Sequence, residues 1–345
     1  MTFIPEKNTL DYGAWNVFKN GLRLQSGESV LLITDESTRD LGDALYRQAE
    51  LLTAKVPKRY SMEQFGPRPL LSLPSELEKA LQKVDVTIYA SGNQPGELAF
   101  RMPFVGAAVK AGARHGHAPG INNEIMLTGM QADILESNER CKELYERLSP
   151  IEWAHLTTPA GTDIRLEFSP NINWINSDWD FSKKGEWHNI PSGEVFTWPS
   201  NTNGIYVVDG VLGDHFDQKY GSLEKTPVKY TVRGNHITDI KCPENSDLET
   251  EINKYVFDSH NGDILGEIGV GALDVKNLIG RMLQDEKASG TVHIAHGNIY
   301  SERTGAPDYR QTTHCDGVMR KVTLETNKEF ILREGIYQPS TKVTS

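Results

Sequence analysis

Residues 29–53 read SVLLITDESTRDLGDALYRQAELLT, a short apolar run followed by a helical repeat. The run over 29–34 is bounded by polar residues and is too short for a buried helix, so it predicts a buried strand. Leucine and alanine then recur every three or four residues over 39–53, which predicts an amphipathic helix. A strand followed at once by a helix is the start of an α/β layer.

Further patterns of the same kind follow. Strands are predicted over 56–60 and 84–89, and helices over 76–83 and 122–148. Ser75 is the expected N-cap of the first of these helices. Alternating strands and helices predict a domain with a mostly parallel sheet. This half has no glycine-rich phosphate-binding motif, so a scaffold or dimerisation role is favoured over nucleotide binding.

The sequence pattern changes near residue 150. Short runs of alternating polarity, typical of antiparallel strands, are found at 163–168, 205–208, 228–232 and 237–240. Helices are predicted over 248–257 and 275–284. We therefore expect an α/β scaffold domain over 1–150 and an α+β domain with largely antiparallel strands over 151–345, the latter carrying the functional site.

Composition limits the classes of partner. The chain has 345 residues and a formal net charge of -11, which argues against nucleic acid and anionic membranes as partners. Three cysteines without a pairing pattern fit a reducing compartment. The N-terminus lacks a signal-peptide pattern, and no apolar stretch is long enough to span a bilayer. A cytoplasmic protein is expected.

Two histidine motifs are candidates for metal binding. His314 and Asp316 would share one face of a strand, where an imidazole and a carboxylate suit a divalent ion. Alone, such a pair can equally be a hydrogen-bonded surface feature. His293 lies in an apolar run, so it must either bind a metal or be satisfied by hydrogen bonds in the core. His296 would point away from His293 and is expected near the rim of the site.

Two glutamates lie in settings where an unpaired charge would be costly. Glu194 lies between a turn and an apolar strand, and Glu267 is closely flanked by glycines that allow another group to approach. Each could instead pair with an arginine or a helix N-terminus. Cys315 would face away from His314 and Asp316, so a structural role is favoured for it.

Five segments follow one another in the C-terminal half. They are GTD (161–163), NIPSGEVFT (189–197), GEIG (266–269), HIAHGNIY (293–300) and HCD (314–316). Together they resemble, in order and rough spacing, the thermophilic aminopeptidase family (aminopeptidase T, family M29). The N-terminal half resembles that family only in its α/β character.

The resemblance implies a two-metal aminopeptidase that acts on a small peptide or a small-molecule amide. The implied ligands of two divalent ions, zinc, cobalt or manganese, are Glu194, Glu267, His293, His314 and Asp316. Tyr300 would lie beside the metals and could donate to a developing oxyanion. Glu194 is the favoured bridge or base. A homodimer is expected. His296 departs from the family, which usually has leucine there.

A second lineage of the same superfamily is also similar. The segments PSG (191–193) and FTWP (196–199) resemble 2,5-dihydroxypyridine 5,6-dioxygenase, a ring-cleaving enzyme with a single Fe(II). In that enzyme a histidine takes the place of Glu267 and an apolar residue that of Glu194. Because this chain keeps both glutamates, the hydrolase is favoured. A non-catalytic binding protein on the same fold is a third hypothesis.

Four tryptophans fall close together in the sequence. Their ordinary role is core packing, and the alternative is an aromatic wall beside Glu194 that would favour an apolar substrate group. They are Trp174, Trp179, Trp187 and Trp198.

Overall fold

The computed structural model describes residues 4–311 and 313–340. Its strands are β1 (Val30–Thr34), β2 (Lys58–Ser61), β3 (Val86–Ser91), β4 (Arg114–Pro119), β5 (Trp153–Thr157), β6 (Asp163–Glu167), β7 (Ile175–Ser177), β8 (Trp187–Asn189), β9 (Glu194–Thr197), β10 (Asn201–Val208), β11 (Val228–Arg233), β12 (His236–Lys241), β13 (Leu265–Gly271), β14 (Val292–Gly297), β15 (His314–Met319), β16 (Thr323–Thr326), β17 (Phe330–Arg333) and β18 (Ile336–Tyr337).

The helices are shorter on average than the sequence suggests. They are α1 (Leu10–Asn16), α2 (Arg39–Thr53), α3 (Ser75–Leu81), α4 (Leu98–Lys110), α5 (Asn123–Leu127), α6 (Ile134–Leu148), α7 (Asp217–Tyr220), α8 (Ser246–Phe257), α9 (Met282–Asp285) and α10 (Ser301–Thr304). A π-helical turn covers Val17–Gly21, and 3₁₀ turns cover Glu36–Thr38, Met62–Phe65 and Gly129–Gln131.

The chain divides into two compact units. The first comprises Met1–Asn138 and Asp178–Ser192, and the second comprises Glu139–Ser177 and Gly193–Ser345. A short segment inside the C-terminal half, which contains β8, thus belongs to the first unit. The reason is that β8 pairs in parallel with β4.

The first unit contains a parallel sheet of five strands in the order β2-β1-β3-β4-β8. Every residue of β1 is buried, which explains its continuous apolar run. The predicted helix over 39–53 is confirmed as α2. Two local predictions are wrong: Ser75 is the first residue of α3 rather than its N-cap, because Pro74 occupies that position, and the helical pattern over 122–148 is divided into α5, a 3₁₀ turn and α6.

The second unit contains two antiparallel sheets. Eight strands follow the order β12-β11-β10-β6-β5-β16-β17-β18, and five follow the order β15-β14-β13-β9-β7. One hydrophobic core takes side chains from both sheets, for example Leu156 and Ile164 from the first and Ile268 and Ile294 from the second. The predicted combination of a parallel α/β sheet with an antiparallel C-terminal part is confirmed.

The predicted helix over 275–284 is wrong, because only Met282–Asp285 is helical in this region. The buried carboxylate of Asp285 accepts hydrogen bonds from the main-chain N–H groups of Ile279 and Gly280. Gly280 adopts a φ of +73°. The chain therefore forms a loop around Asp285. The hydrogen bonds to its carboxylate replace those of a helix, and the spacing of apolar residues does not reveal them. Among the described residues, no helix has the length and apolar character needed to cross a bilayer.

Candidate metal centre

The predicted ligands project from one face of the five-stranded sheet. Side chains alternate along a strand, and Ile294 of β14 points into the core, so His293 and Ala295 point to the opposite face. The strand register aligns Ala295 with Glu267 of β13 on one side and with Asp316 of β15 on the other. Neighbouring strands thus carry both carboxylates to the face on which His293 lies.

Three of the predicted residues form a compact cluster. His293 Nε2 lies 3.0 Å from Glu267 Oε1 and 3.5 Å from Glu194 Oε2. One ligand atom from each residue lies within 4.8 Å of the others, and all three residues are buried. Two buried carboxylates around one imidazole are a set of donors that suits a divalent ion such as zinc or manganese.

Glycines on β13 make this cluster possible. The imidazole of His293 lies directly over Gly269, where a Cβ atom would be only 2.1 Å from Nε2. Any larger residue would displace the imidazole from the face. The register also shifts between Leu265 and Glu267, so that Gly266 is an extra residue that aims Glu267 toward the cluster.

His314 and Asp316 form an adjacent pair at the edge of the same face. Their side chains share one side of β15, and His314 Nε2 lies 3.2 Å from Asp316 Oδ2. Glu267 is close enough to both that their charges affect its pKa. The structure therefore brings all five predicted ligands to one sheet face, on which Glu267 and Asp316 lie on either side of Ala295.

Main-chain carbonyls set the orientation of both imidazoles. His293 Nδ1 lies 3.0 Å from the carbonyl oxygen of Glu286, and His314 Nδ1 lies 3.1 Å from that of Asn298. In each ring Nδ1 is the donor, so the lone pair of the neutral form is on Nε2. This is the usual arrangement around metal-ligating histidines, whose outer nitrogen donates to a fixed acceptor.

The buried charges shift the pKa values of the cluster. Burial alone would lower the pKa of His293, but the hydrogen bond that His293 donates to Glu267 and the charge of Glu194 raise it to about 10. Burial raises the pKa of Glu267. Burial would also raise the pKa of Asp316, but the charge of His314 lowers it overall. In the metal-free protein the imidazoles thus hold protons that a bound cation must displace.

Two residues of the site were missed by sequence reasoning. Lys287 is fully buried, and its Nζ contacts Glu286 Oε1 and lies 3.8 Å from Glu194 Oε1. Burial raises the pKa of Glu286 to about 8, with added repulsion from Asp316 and Glu194. In the sequence both residues stand in a polar stretch that is typical of an exposed loop, so no local signal marks them.

Tyr300 lies beside the ligands, as expected. Its ring centroid is 5.1 Å from that of His314 and 5.9 Å from that of Phe196. Burial raises the pKa of Tyr300 well above its ordinary value, with the nearby carboxylate of Glu267 as the next cause. The hydroxyl therefore stays protonated and can donate a hydrogen bond. Its backbone has a φ of +46°, a strained conformation for an aromatic residue.

Comparison with known families agrees with this geometry. Residues 132–316, more than half of the chain, match the thermophilic metalloprotease (M29) family. The chain belongs to this M29 family. No curated protein sequence matches the chain closely enough to name a nearer relative.

Two solved structures share the fold of this M29 protein. One is 2,5-dihydroxypyridine dioxygenase from Pseudomonas putida KT2440, with a TM-score of 0.70 and 18% identity over 98% of this chain and 99% of that chain. The other is AmpT from Thermus thermophilus, with a TM-score of 0.66 and 15% identity over 95% of this chain and 98% of that chain. At such identities the likeness concerns the fold.

His296 does not lie near the rim of the site, as the sequence predicted. It lies on the core face of β14 with 1% of its surface exposed, and its Nδ1 is 2.9 Å from the carbonyl oxygen of Gly262. Among the described residues, its Nε2 has no hydrogen-bond partner. Cys315 is paired with His296 across the strands and is also buried, away from the ligands.

Replacing His296 by leucine is expected to reduce the loss of unfolding free energy that the protein shows as the pH falls below 7. Burial lowers the pKa of His296 to about 4, from about 6.5 in the unfolded chain. As the pH falls through this interval, the unfolded chain takes up a proton that the folded chain refuses, so stability falls. Between pH 7 and 5 the metal-free wild type should lose about 2 kcal/mol more than H296L in urea unfolding. An equal loss of stability in the wild type and in H296L would contradict the lowered pKa of His296.

The tryptophans do not all line the site. Trp174 is buried in the core of the second unit, and Trp179 and Trp187 belong to the first unit. Trp198 packs with Ile299 and donates its indole N–H to the carbonyl oxygen of Leu265 at 2.9 Å. Core packing accounts for Trp174, and Trp198 packs beside β13.

Proposed function

We propose that this metalloprotease-family protein is an aminopeptidase, or a related amide hydrolase, that uses two divalent ions. The observation that carries the proposal is the presence of two ligand groups on one sheet face. One contains His293 with Glu194 and Glu267, and the other contains His314 with Asp316, which lies across Ala295 from Glu267. When bound, the ions would lower the pKa of a water molecule and polarise the scissile carbonyl.

Contacts with Lys287 suggest how Glu194 would act. Lys287 Nζ lies nearest to Oε1 of Glu194, whereas Oε2 faces His293. One oxygen of Glu194 would therefore remain for a cation, and Glu267, which contacts His293 directly, would hold a cation as well. Burial raises the pKa of Glu286 to about 8, so its carboxyl group would be a candidate to exchange a proton with the substrate during hydrolysis. These roles refine the expectation that Glu194 is the bridge or base.

The remaining groups bind and polarise the substrate. The hydroxyl of Tyr300 would donate a hydrogen bond to the oxyanion that develops at the scissile carbonyl. Carboxylates that are not neutralised by the ions would attract the free ammonium group of a peptide. Zinc, cobalt and manganese all suit the nitrogen and oxygen donors. We further propose that the protein is a cytoplasmic homodimer.

Counting the ions tests this proposal directly. We expect anomalous scattering at the metal edges to locate two zinc, cobalt or manganese ions per chain between His293 and His314. A peptide with a free N-terminus should be cleaved, and its N-acetylated form should not. Failure of the metal-loaded protein to cleave any peptide or small amide would reject the hydrolase.

A single-Fe(II) dioxygenase is the second candidate. Two imidazoles whose Nδ1 atoms are held by main-chain carbonyls, together with the carboxylate of Asp316, form the set of ligands that leaves open positions on iron. Glu194 and Glu267 argue against it, because neither is needed for one such ion. Occupancy by one iron, with oxygen uptake on addition of a dihydroxypyridine, would favour this candidate over the hydrolase.

A further inference from the structure

The ring of Phe196 lies beside the candidate ligands and also contacts the exposed side chain of Arg303. It pairs across the strands with Gly269, the residue beneath the His293 imidazole, and its side chain lies on the same face as Glu194. The guanidinium carbon of Arg303 is 5.3 Å from the centroid of the Phe196 ring. Phe196 therefore contributes to the sheet face of the candidate ligands and also packs against Arg303.

The position of Arg303 is fixed by a short, strained turn. Tyr300 and Arg303 are three residues apart on one side of this turn, and both contact Phe196. The N–H of Arg303 donates to the carbonyl of Tyr300 at 2.8 Å, and Asn173 donates to the carbonyl of Arg303 at 3.4 Å. Strain of this kind persists where the surrounding structure enforces it, and it is concentrated at functional sites.

The guanidinium has unused hydrogen-bonding capacity. Arg303 is exposed, and within residues 4–311 and 313–340 it forms no ion pair. The face of the Phe196 ring holds the guanidinium plane by a cation–π contact and leaves its N–H groups free. A planar fork of this kind suits bidentate binding of a carboxylate.

The separation between the cation and the ligands matches a short peptide. Adjacent strands are about 5 Å apart, and the contact of Arg303 with Phe196 adds a similar distance, so the guanidinium lies within roughly 10 Å of His293 Nε2. Each extended residue spans about 3.5 Å. The free carboxylate of a dipeptide or tripeptide, cleaved after its first residue, would thus reach the guanidinium.

We propose that Arg303 is a specificity-determining residue that binds the carboxylate of the substrate. The inference rests on the proposed hydrolase function and narrows its substrate class to dipeptides, tripeptides and small amides that carry a carboxylate. Acidic groups around His293 would attract the ammonium end of such a zwitterion, and Arg303 would attract the opposite end.

Hydrolysis of a tripeptide and of its C-terminal amide tests the proposal. The metal-loaded wild type should cleave the free acid with a kcat/KM about tenfold higher than the amide, mainly through a lower KM. R303M should lose this preference with kcat nearly unchanged, and R303K should retain part of it. R333M is the matched control, because Arg333 is also exposed and rests on an aromatic ring, that of Phe330.

Equal kcat/KM values for acid and amide in the wild type, or an unchanged preference in R303M, would overturn the role of Arg303 and leave the hydrolase intact. If no peptide is cleaved, the hydrolase fails, and titration calorimetry of the same tripeptide and amide still tests Arg303. Tighter binding of the acid that disappears in R303M would support carboxylate binding. Equal binding of acid and amide would overturn it.

Discussion

Replacing Glu267 by glutamine is expected to lower the kcat/KM of peptide hydrolysis by roughly 10³-fold, about 4 kcal/mol, while the protein remains folded. Glu267 contacts His293 and lies across Ala295 from Asp316, so the substitution removes a negative charge that would attract the cations. Calorimetric titration with zinc should show weaker binding of at least one ion. Glutamine has the same shape, and it relieves repulsion among buried carboxylates.

A matched variant separates the role of Glu267 from a general effect of lost charge. Glu146 is exposed on α6, and E146Q changes the same functional group away from the ligand face. E146Q should keep wild-type activity and zinc affinity. Full activity of E267Q with two bound ions would reject Glu267 as a ligand. A simultaneous loss of activity and of the folded state would instead assign Glu267 a structural role.

The fold was predictable where local pattern and tertiary packing agree. The run over 29–34 is apolar because β1 is buried on both sides, and α2 has the same bounds as the predicted helix. The segment over 275–284 has helical spacing too, yet there Asp285 collects main-chain N–H groups into a loop. Local pattern fails when a single buried polar group competes for the hydrogen bonds of the backbone.

The grouping of the candidate ligands was predictable from the sequence, and their surroundings were not. His293, His314 and the three carboxylates belong to short motifs with glycine neighbours, and alternation in a strand explains their common face. Lys287 carries no such mark, because its burial arises from the loop that returns against the sheet. His296 was misplaced for a similar reason. Alternation along the strand predicted that its side chain points away from His293, but the sequence did not show that this opposite face is buried in the core.

Replacing Lys287 by methionine is expected to destabilise the metal-free protein and to strengthen metal binding. The ammonium group has three nearby acceptors, Glu286 Oε1, Glu194 Oε1 at 3.8 Å and the carbonyl oxygen of Leu283 at 3.5 Å. Burial alone would lower the pKa of Lys287, but the charges of Glu194 and Glu286 raise it above its usual range, so Lys287 is charged in the folded protein.

Removal of this charge leaves the buried Glu286 without its counter-ion and leaves Glu194 with the His293 imidazolium alone. Breaking a buried ion pair from one side typically costs about 3–5 kcal/mol, so urea unfolding in the presence of a chelator should report a loss of that size for K287M. Lys219 provides the control, since its ion pair with Glu251 is largely exposed. K219M should unfold at nearly the same urea concentration as the wild type.

Zinc should reduce the difference in stability between K287M and the wild type. Lys287 repels any cation near Glu194, so its removal is expected to raise the affinity for zinc by about tenfold or more. Binding of zinc to the folded state then stabilises K287M by more than it stabilises the wild type, and the two unfolding curves approach each other as zinc is added. Weaker zinc binding by K287M would instead mean that the ammonium group chiefly orients Glu194, since lost orientation would then outweigh lost repulsion.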